Sequence, residues 1–465
     1  MNIRLSTRAE ILLLFYIILF RLIHLICISG DYQVQNEEME ATMSAIEQSA
    51  LYEVMNSMAG DKDWKTQHPH PCSEDLWLGL VCEQGSDGFH HVTRLDFGYK
   101  PNPACTRNAT IPSAIAHLTH LRSLFIFECF STVNTTIPVK SLITLAPTLQ
   151  ELSLRTNNAL VGDIPPELGN LSRLQLLSLS QNGLSGHIPV ELSKLSSLQH
   201  LDLSNNLLSG ELPAELGRLQ SLVILDLSVN SISGSVPSSL GNLMKLQKLD
   251  LSFNSFKGPL PRDLGRLLRL QFLSLNDNMI TGPYPPEMAT MAALQYLILD
   301  NNPMNSTLPS FIGGYQNLMA LSLSNSGYHG SIPDAYSDLN NLTVMSLERN
   351  NLSGSIPFGL GKLAHIYQLN LSFNNLSGAI PFTEEFVRKL GRNLDLTGNK
   401  ELCSHWVLPE TTSKPPGGLP LCSDPKFTGL TLSFSTSRRE MTFSSLPAMM
   451  TITLCIVYIL MKSDS

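Results

Sequence analysis

Proline recurs at residues 165, 189, 213, 237, 261, 285, 309, 333, 357 and 381, once every 24 positions through almost half of the chain. Glycine keeps the same period at 162, 186, 210, 234, 258, 282, 330, 354 and 378. Asparagine keeps it at 158, 182, 206, 230, 254, 278, 302, 350 and 374, with Ser326 in the one gap. Self-similarity at such a period marks a stacked array in which each unit contacts only its neighbours. The length of 465 residues would otherwise suggest about three separate domains. The repeat therefore overrides length as the first constraint on the fold.

A representative unit reads Leu198-Gln199-His200-Leu201-Asp202-Leu203-Ser204-Asn205-Asn206-Leu207-Leu208-Ser209-Gly210-Glu211-Leu212-Pro213. Leu201 and Leu203 alternate with polar neighbours, the pattern of a short strand with one buried face. Asn206 follows where the chain turns inward, and its amide can satisfy backbone groups of adjacent coils, so the stacked units predict an asparagine ladder. Gly210 supplies a backbone conformation free of Cβ hindrance, and Pro213 fixes the return segment. A single coil cannot bury its leucines, so the array needs both stacking and caps. The expected fold is an α/β repeat solenoid, a curved horseshoe or superhelix with a parallel concave β-sheet and disulfide-capped ends. The departures at Pro303, Ser306 and Ser326 are expected to interrupt ladder and turn together.

Both chain ends are apolar. Arg4 and Arg8 precede the run from Ile11 to Phe20, and small residues at Ser29 and Gly30 follow, which predicts a cleaved secretory signal peptide. Arg21 interrupts the apolar run, so a signal anchor is the alternative. Leu446 to Met461 is apolar for 16 residues, about 24 Å of helix against a hydrocarbon core of about 30 Å. It reads as a short transmembrane span or as a GPI signal preceded by Ser435, Thr436 and Ser437; a non-inserting tail is the third reading. The expected organisation is a signal peptide over 1–30, a helical and disulfide-bonded cap over 31–92, and irregular leading repeats over 93–148. Ten regular repeats then fill 149–393, and a partial repeat with the C-terminal cap fills 394–425. A juxtamembrane segment over 426–445, an anchor over 446–461 and a polar tail over 462–465 complete the chain.

Six of the eight cysteines lie between the two apolar ends, an even number that suits an oxidising compartment. Several connectivities are open, and sequence locality favours Cys72 with Cys82, Cys105 with Cys129, and Cys403 with Cys422. Glycosylation signals, Asn-x-Ser/Thr, stand at Asn108, Asn134, Asn170, Asn305, Asn341, Asn351, Asn370 and Asn375. None falls between Asn170 and Asn305, which leaves roughly five repeats as glycan-free surface.

The unit L-x-x-L-x-L-x-x-N-x-L-x-G-x-I-P resembles the plant-specific leucine-rich repeat. Trp64, Pro71-Cys72, Trp77, Gly79 and Cys82 look like the N-terminal cap of plant receptor-type repeat proteins. More narrowly, Arg94-Leu95-Asp96-Phe97, Pro101-Asn102-Pro103, Asn301-Asn302-Pro303, Ser326-Gly327-Tyr328 and Leu390 to Leu396 resemble the kinase-less receptor-like proteins of the TOO MANY MOUTHS type. That resemblance implies a glycoprotein on the extracellular face of the plasma membrane. It implies that a secreted peptide or protein ligand binds the concave face, and that signalling in development or defence passes through the ectodomain of a partner receptor kinase. No kinase of its own is expected in the few residues after Met461. The rival reading is a secreted or wall-associated inhibitor resembling the plant polygalacturonase inhibitors, which end after the C-terminal cap.

Residues 24 apart stack across the concave face, so Asp202, Asp226 and Asp250 form one exposed column. Flanking columns add Asp277, Asp300 and Glu348, the aromatics Phe253, Phe272, Tyr296 and Phe373, and the cation Lys248. Stacked carboxylates repel by roughly 1 kcal/mol per contact in a water-like dielectric, which a cationic ligand would relieve. Leu-Asp-Leu-Ser is also the commonest filling of the repeat, so duplication alone accounts for the acidic column equally well. The aromatics are not consensus residues and make better ligand anchors. The net charge of −8 argues against a nucleic-acid partner. No phosphate loop, dinucleotide fingerprint, H-E-x-x-H or G-x-S-x-G occurs, so no enzyme, catalytic residue or cofactor is expected. His90, His91, His68 and His70 lack ligand spacing along the chain and read as loop surface, so no metal is expected either.

Overall fold

The computed structural model describes residues 43–72, 77–405 and 419–422, which fall within the unit Met1–Cys422. The expected signal peptide and everything from the juxtamembrane segment onward lie outside these residues. Among the described residues, no helix is long and apolar enough to cross a membrane.

After a five-residue strand at Glu151–Arg155, each regular coil begins with a three-residue strand such as His200–Asp202, Ile224–Asp226 or Lys248–Asp250. Leu201, Leu225 and Leu249 pair in parallel register and are fully buried, as are Leu203, Leu227 and Leu251 two residues on. Burying one such side chain contributes about 1.5–3 kcal/mol, which only stacking can realise. The result is a 14-stranded sheet from β1 (Leu80–Gln84) and β2 (His90–Phe97) to Leu394–Asp395. β1 and β2 pair antiparallel, and the strands after them pair in parallel. The chain returns through a 3-10 turn set by proline, as in Ala214–Arg218 after Pro213 at φ −61°, and buries Leu216 and Leu219.

The inward turn is held by the asparagine ladder. Asn302 Oδ1 accepts the Ile280 N–H, while its Nδ2 donates to the carbonyls of Leu275, Leu299 and Asp300. Three details correct the sequence reading. At the first regular coil the ladder residue is the buried Asn157, not the exposed Asn158, because the strand register between Leu152 and Leu177 spans 25 residues. Asn399 extends the ladder into the C-terminal cap. Ser326 does not interrupt it: its Oγ accepts from the Asn302 N–H and donates toward the Leu299 and Ser324 carbonyls. What breaks instead is the second layer. A six-stranded sheet ends at Met279–Thr281, and a four-stranded one begins at His329–Gly330. Pro303 stands between them and has no N–H with which to continue the pairing.

The residue before each ladder position lies in the left-handed region: Gln181, Asn205, Val229, Phe253, Asp277, Asn301, Asn325, Arg349 and Phe373 all have φ between 49° and 58°. Asn tolerates this conformation, whereas a β-branched or aromatic side chain carries about 1–3 kcal/mol of strain there. Val229, Phe253 and Phe373 are therefore not the choices that folding alone would select.

The ends are closed by apolar caps. Helix α1 (Ala45–Ala59) starts where the Ser44 hydroxyl accepts the Glu47 N–H, and it buries Leu51, Met55 and Met58. Trp64 packs on Trp77 at 5.2 Å and donates its ring N–H to the Ala59 carbonyl. Disulfides join Cys72 to Cys82, Cys105 to Cys129, and Cys403 to Cys422. At the far end, helix Glu384–Leu390 covers the last coil with Phe386 stacked on Phe382.

Four buried tyrosines occupy leucine positions beside the break in the second layer. Tyr315 donates to the Met288 carbonyl and Tyr336 to that of Pro309, but among the described residues the hydroxyls of Tyr284 and Tyr328 have no hydrogen-bond partner. A buried unpaired hydroxyl costs roughly 1–3 kcal/mol of desolvation. Tyr284→Phe and Tyr328→Phe are expected to raise stability by about 1 kcal/mol each in denaturant titrations. Tyr315→Phe, which loses a made bond, is expected to lower it.

Candidate functional site

The outward positions of the strands form straight columns on the sheet face. Asp202, Asp226 and Asp250 are adjacent in register, and Lys248, Phe272 and Tyr296 form the neighbouring column. Lys248 reaches sideways, with its Nζ 2.8 Å from Asp226 Oδ2 and 3.9 Å from Asp250 Oδ2, and it lies 5.4 Å from the centre of the Phe272 ring. Phe272 in turn packs on Tyr296 at 5.9 Å, and the Tyr296 hydroxyl approaches Met319 Sδ at 3.9 Å. A continuous strip of cation, aromatic and thioether thus spans four coils. Phe253, at the turn that follows the strand Lys248–Asp250, is about half exposed at 51%.

The acidic column is less available than its register suggests. In each Asp-Leu-Ser triplet the carboxylate Oδ1 accepts both the N–H and the hydroxyl of the serine two residues on. Asp202 also accepts from Ser178. Lys248 offsets part of the column's charge by pairing with Asp226 and approaching Asp250, one ammonium against three carboxylates. Burial disfavours charge on Lys248, but Asp226 and Asp250 outweigh it and raise its pKa. Burial, reinforced by the Asp226 charge, pushes the Asp250 carboxyl up to about 6.

The flanking acids separate. Asp277 is tied on both oxygens, by Asn301 and Asn276. Glu348 is held by Asn370. Asp300, expected on the exposed face, is only 4% exposed: it occupies the column of Ser204, Ser228 and Ser252, which faces the turn, and accepts from the Ser322 hydroxyl and the Ser324 N–H. It is therefore removed from the candidate surface. Phe373 is 52% exposed, and the Arg349 guanidinium lies 5.0 Å from its ring centre, forming a second aromatic and cationic pair further along the sheet.

Burial pushes Asp300 up to about 6 from its ordinary 3.8. The folded state thus binds the proton more tightly than the unfolded chain, and the ionised side chain destabilises the fold at pH above 6 but not below the unfolded value. Asp300→Asn keeps an acceptor and cannot ionise. It is expected to stabilise the protein by about 1–2 kcal/mol at pH 7.5, a gain that shrinks as pH falls toward 4. Urea unfolding of both forms at the two pH values measures it.

Among the sequons, Asn108, Asn134, Asn170, Asn305, Asn341, Asn351 and Asn375 are exposed, whereas Asn370 is half-buried on the sheet face. Its Nδ2 donates to Glu348 at 2.6 Å, and its Oδ1 accepts from the Ser372 N–H and hydroxyl. Lys248, Phe272 and Tyr296 lie within the sequon-free window between Asn170 and Asn305, and Met319 lies beyond it.

Short parallel strands stacked at a 24-residue period and held by an asparagine ladder define a leucine-rich-repeat solenoid. A leucine-rich-repeat region family matches residues 120–257, and a single leucine-rich repeat matches 341–363. The chain resembles plant receptor-like proteins. It is 43% identical to Receptor like protein 29 of Arabidopsis thaliana over 148 residues, 32% of each chain. It is 38% identical to Protein TOO MANY MOUTHS of Arabidopsis thaliana over 135 residues, 28% of this chain and 26% of that protein. Among solved structures, it is similar to the plant peptide hormone receptor RGFR1 in complex with RGF2, at 34% identity and a TM-score of 0.58. That similarity covers 63% of this chain and 46% of the receptor. The chain thus spans about a third or less of the length of the curated relatives it matches, and under half of that receptor.

Proposed function

We propose that this protein is a cell-surface receptor-like protein that binds a secreted peptide or protein on its sheet face and signals through the ectodomain of a partner receptor kinase. The observation that carries this reading is the strip Lys248–Phe272–Tyr296, together with the exposed Phe253 at the turn after the strand Lys248–Asp250. Phe253 is half exposed and sits in a backbone conformation that disfavours it, so neither burial nor local preference accounts for it. Exposed, semi-rigid aromatics beside a cation are efficient anchors for a peptide. The similarity to a plant peptide hormone receptor supports binding of a peptide. Residues 1–30 would direct secretion, and residues 446–461 would retain the protein at the plasma membrane.

The test is affinity capture of the full-length protein from plant membranes, beside a Phe253→Ser, Phe272→Ser, Tyr296→Ser variant whose fold is checked by circular dichroism. Recovery of a receptor kinase and a small secreted ligand with the native form, and loss of the ligand with the variant, is the expected result. Ligand recovery by both forms removes the strip as the binding site. Recovery of a soluble wall-degrading hydrolase without any kinase replaces the receptor reading with that of an inhibitor.

A further inference from the structure

His91 lies where three elements of the N-terminal cap meet. Read along the chain as loop surface, it is instead buried on β2, between α1 and the turn 85–89 that joins β1 to β2. Its Nδ1 is 2.8 Å from Glu47 Oε2 on α1, and its Nε2 is 3.0 Å and 3.2 Å from the two carboxylate oxygens of Asp87 on the turn. Glu47 is buried, and its Oε1 accepts the Val92 N–H at 2.9 Å. From the segment entering the strand Ser123–Phe127, the His120 ring stacks on the His91 ring with centroids 3.6 Å apart. Glu83, opposite His91 in the pairing of β1 with β2, is held by Arg122 at 2.8 Å. His90, the next residue along β2, turns to the other face of the ribbon.

Two carboxylates on one imidazole fix its protonation state. An ionised carboxylate can only accept, and a neutral imidazole has one N–H and one bare lone pair, so only the imidazolium donates to both sides. Burial disfavours that charge, but the hydrogen bonds to Glu47 and Asp87 outweigh it and raise the His91 pKa above its ordinary 6.5. The bond from His91 is also the main cause that lowers Asp87 below its ordinary 3.8. Gly85 permits the close approach. A Cβ there would lie 2.6 Å from Asp87 Oδ1 and 2.7 Å from His91 Nε2, so the turn reaches the ring only because residue 85 has no side chain.

We propose that His91 is a pH-sensitive clasp of the N-terminal cap, tying the β1–β2 turn to α1 while it is an imidazolium and releasing the turn when it loses its proton. Neutral His91 keeps a single N–H. Glu47 is buried and anchored, so that N–H stays on Nδ1, and the bare Nε2 then faces the Asp87 carboxylate and repels it. Asp87 is half exposed and can swing into water. Its Oδ1 also accepts the Phe89 N–H, so its departure unseats the turn at Phe89, whose side chain is already exposed. Because the folded state binds the His91 proton more tightly than the unfolded chain, the clasp contributes fully below pH 6.5 and is lost as pH rises through the higher folded value. On the acid side, the Asp87 contribution is lost only as pH falls through its lowered folded value, below 3.8. The cap is therefore tightest in mildly acidic surroundings.

The test is hydrogen exchange of the full-length glycoprotein at about pH 5.5 and about pH 8, on either side of the ordinary histidine range. It is read on peptides covering the turn 85–89 and, as reference, the strand Ile224–Asp226, with the intrinsic effect of pH on exchange removed. Protection of the turn in the native form is expected to fall about tenfold relative to the reference at the higher pH. In Asp87→Asn the exposed amide offers an acceptor and a donor to either form of the ring, and the fall is expected to stay under about twofold. The native melting temperature is expected to drop further between the two pH values than that of Asp87→Asn. Asp250 and Asp300 titrate alike in both forms, so the comparison cancels them. His91→Gln, which has no proton to lose, is expected to show no pH-linked change in the turn, and Asp87→Asn covers the case in which that variant folds poorly. Native turn protection that is the same at both pH values, or that falls equally in the native form and in Asp87→Asn, overturns the proposal.

Discussion

Gly98→Ala is expected to prevent accumulation of the folded protein. Gly98 follows β2 at φ 101°, and an added Cβ would stand 1.7 Å from the Phe127 carbonyl oxygen and 2.7 Å from its carbon. That oxygen is backbone on the adjacent strand Ser123–Phe127, which pairs with β2 from Arg94 through Phe97. No rotamer change can relieve a clash with backbone, so the strands must separate. Separation would expose Leu95, Phe97, Leu124 and Ile126, which are almost completely buried. The strain of a positive φ adds to this. The combined cost exceeds about 4 kcal/mol, a large share of the stability of an ordinary domain. Yield of secreted, disulfide-bonded protein beside the native form measures it, and native-like yield and melting would contradict the geometry.

Asn302→Ala is expected to cost about 3 kcal/mol. The side chain is 2% exposed and makes four hydrogen bonds, one from the Ile280 N–H and three to carbonyls. Alanine leaves the Ile280 N–H buried without its acceptor, at about 1–3 kcal/mol, and opens a space the size of the amide. Because coils stack, the loss propagates to both neighbours. Asn302→Ser is the informative control, since Ser326 already performs a reduced version of this role two carbonyls deep. Serine is expected to recover about half of the loss in guanidinium unfolding followed by circular dichroism. Equal stability of the alanine and serine variants would mean that packing, not hydrogen bonding, holds the turn.

These two residues differ in how visible they were. Asn302 stands in a column that the 24-residue period displays directly, and its type announces its role. Gly98 lies outside the regular repeat, and nothing beside it in sequence distinguishes it from a surface turn. Its importance comes from Phe127, which only the pairing of two strands brings near. Asn157 shows the same limit on a smaller scale: periodicity points to Asn158, and the one-residue change of register is visible only in the strand pairing.

For the candidate site, repetition alone revealed which residues share a column: Asp202, Asp226 and Asp250, and the aromatic line through Phe272 and Tyr296. A fixed period maps sequence directly onto stacking, so these alignments required no coordinates. What the tertiary structure decided is what each side chain does with its neighbours. Lys248 turns across columns to pair with Asp226, Asp300 turns inward to Ser322 and Ser324, and Asn370 spends its amide on Glu348. Side-chain direction and hydrogen-bond partnership depend on atoms one coil away, where distance along the chain carries no information. The same reason separates Glu47, Asp87, His91 and His120 in sequence and joins them in space.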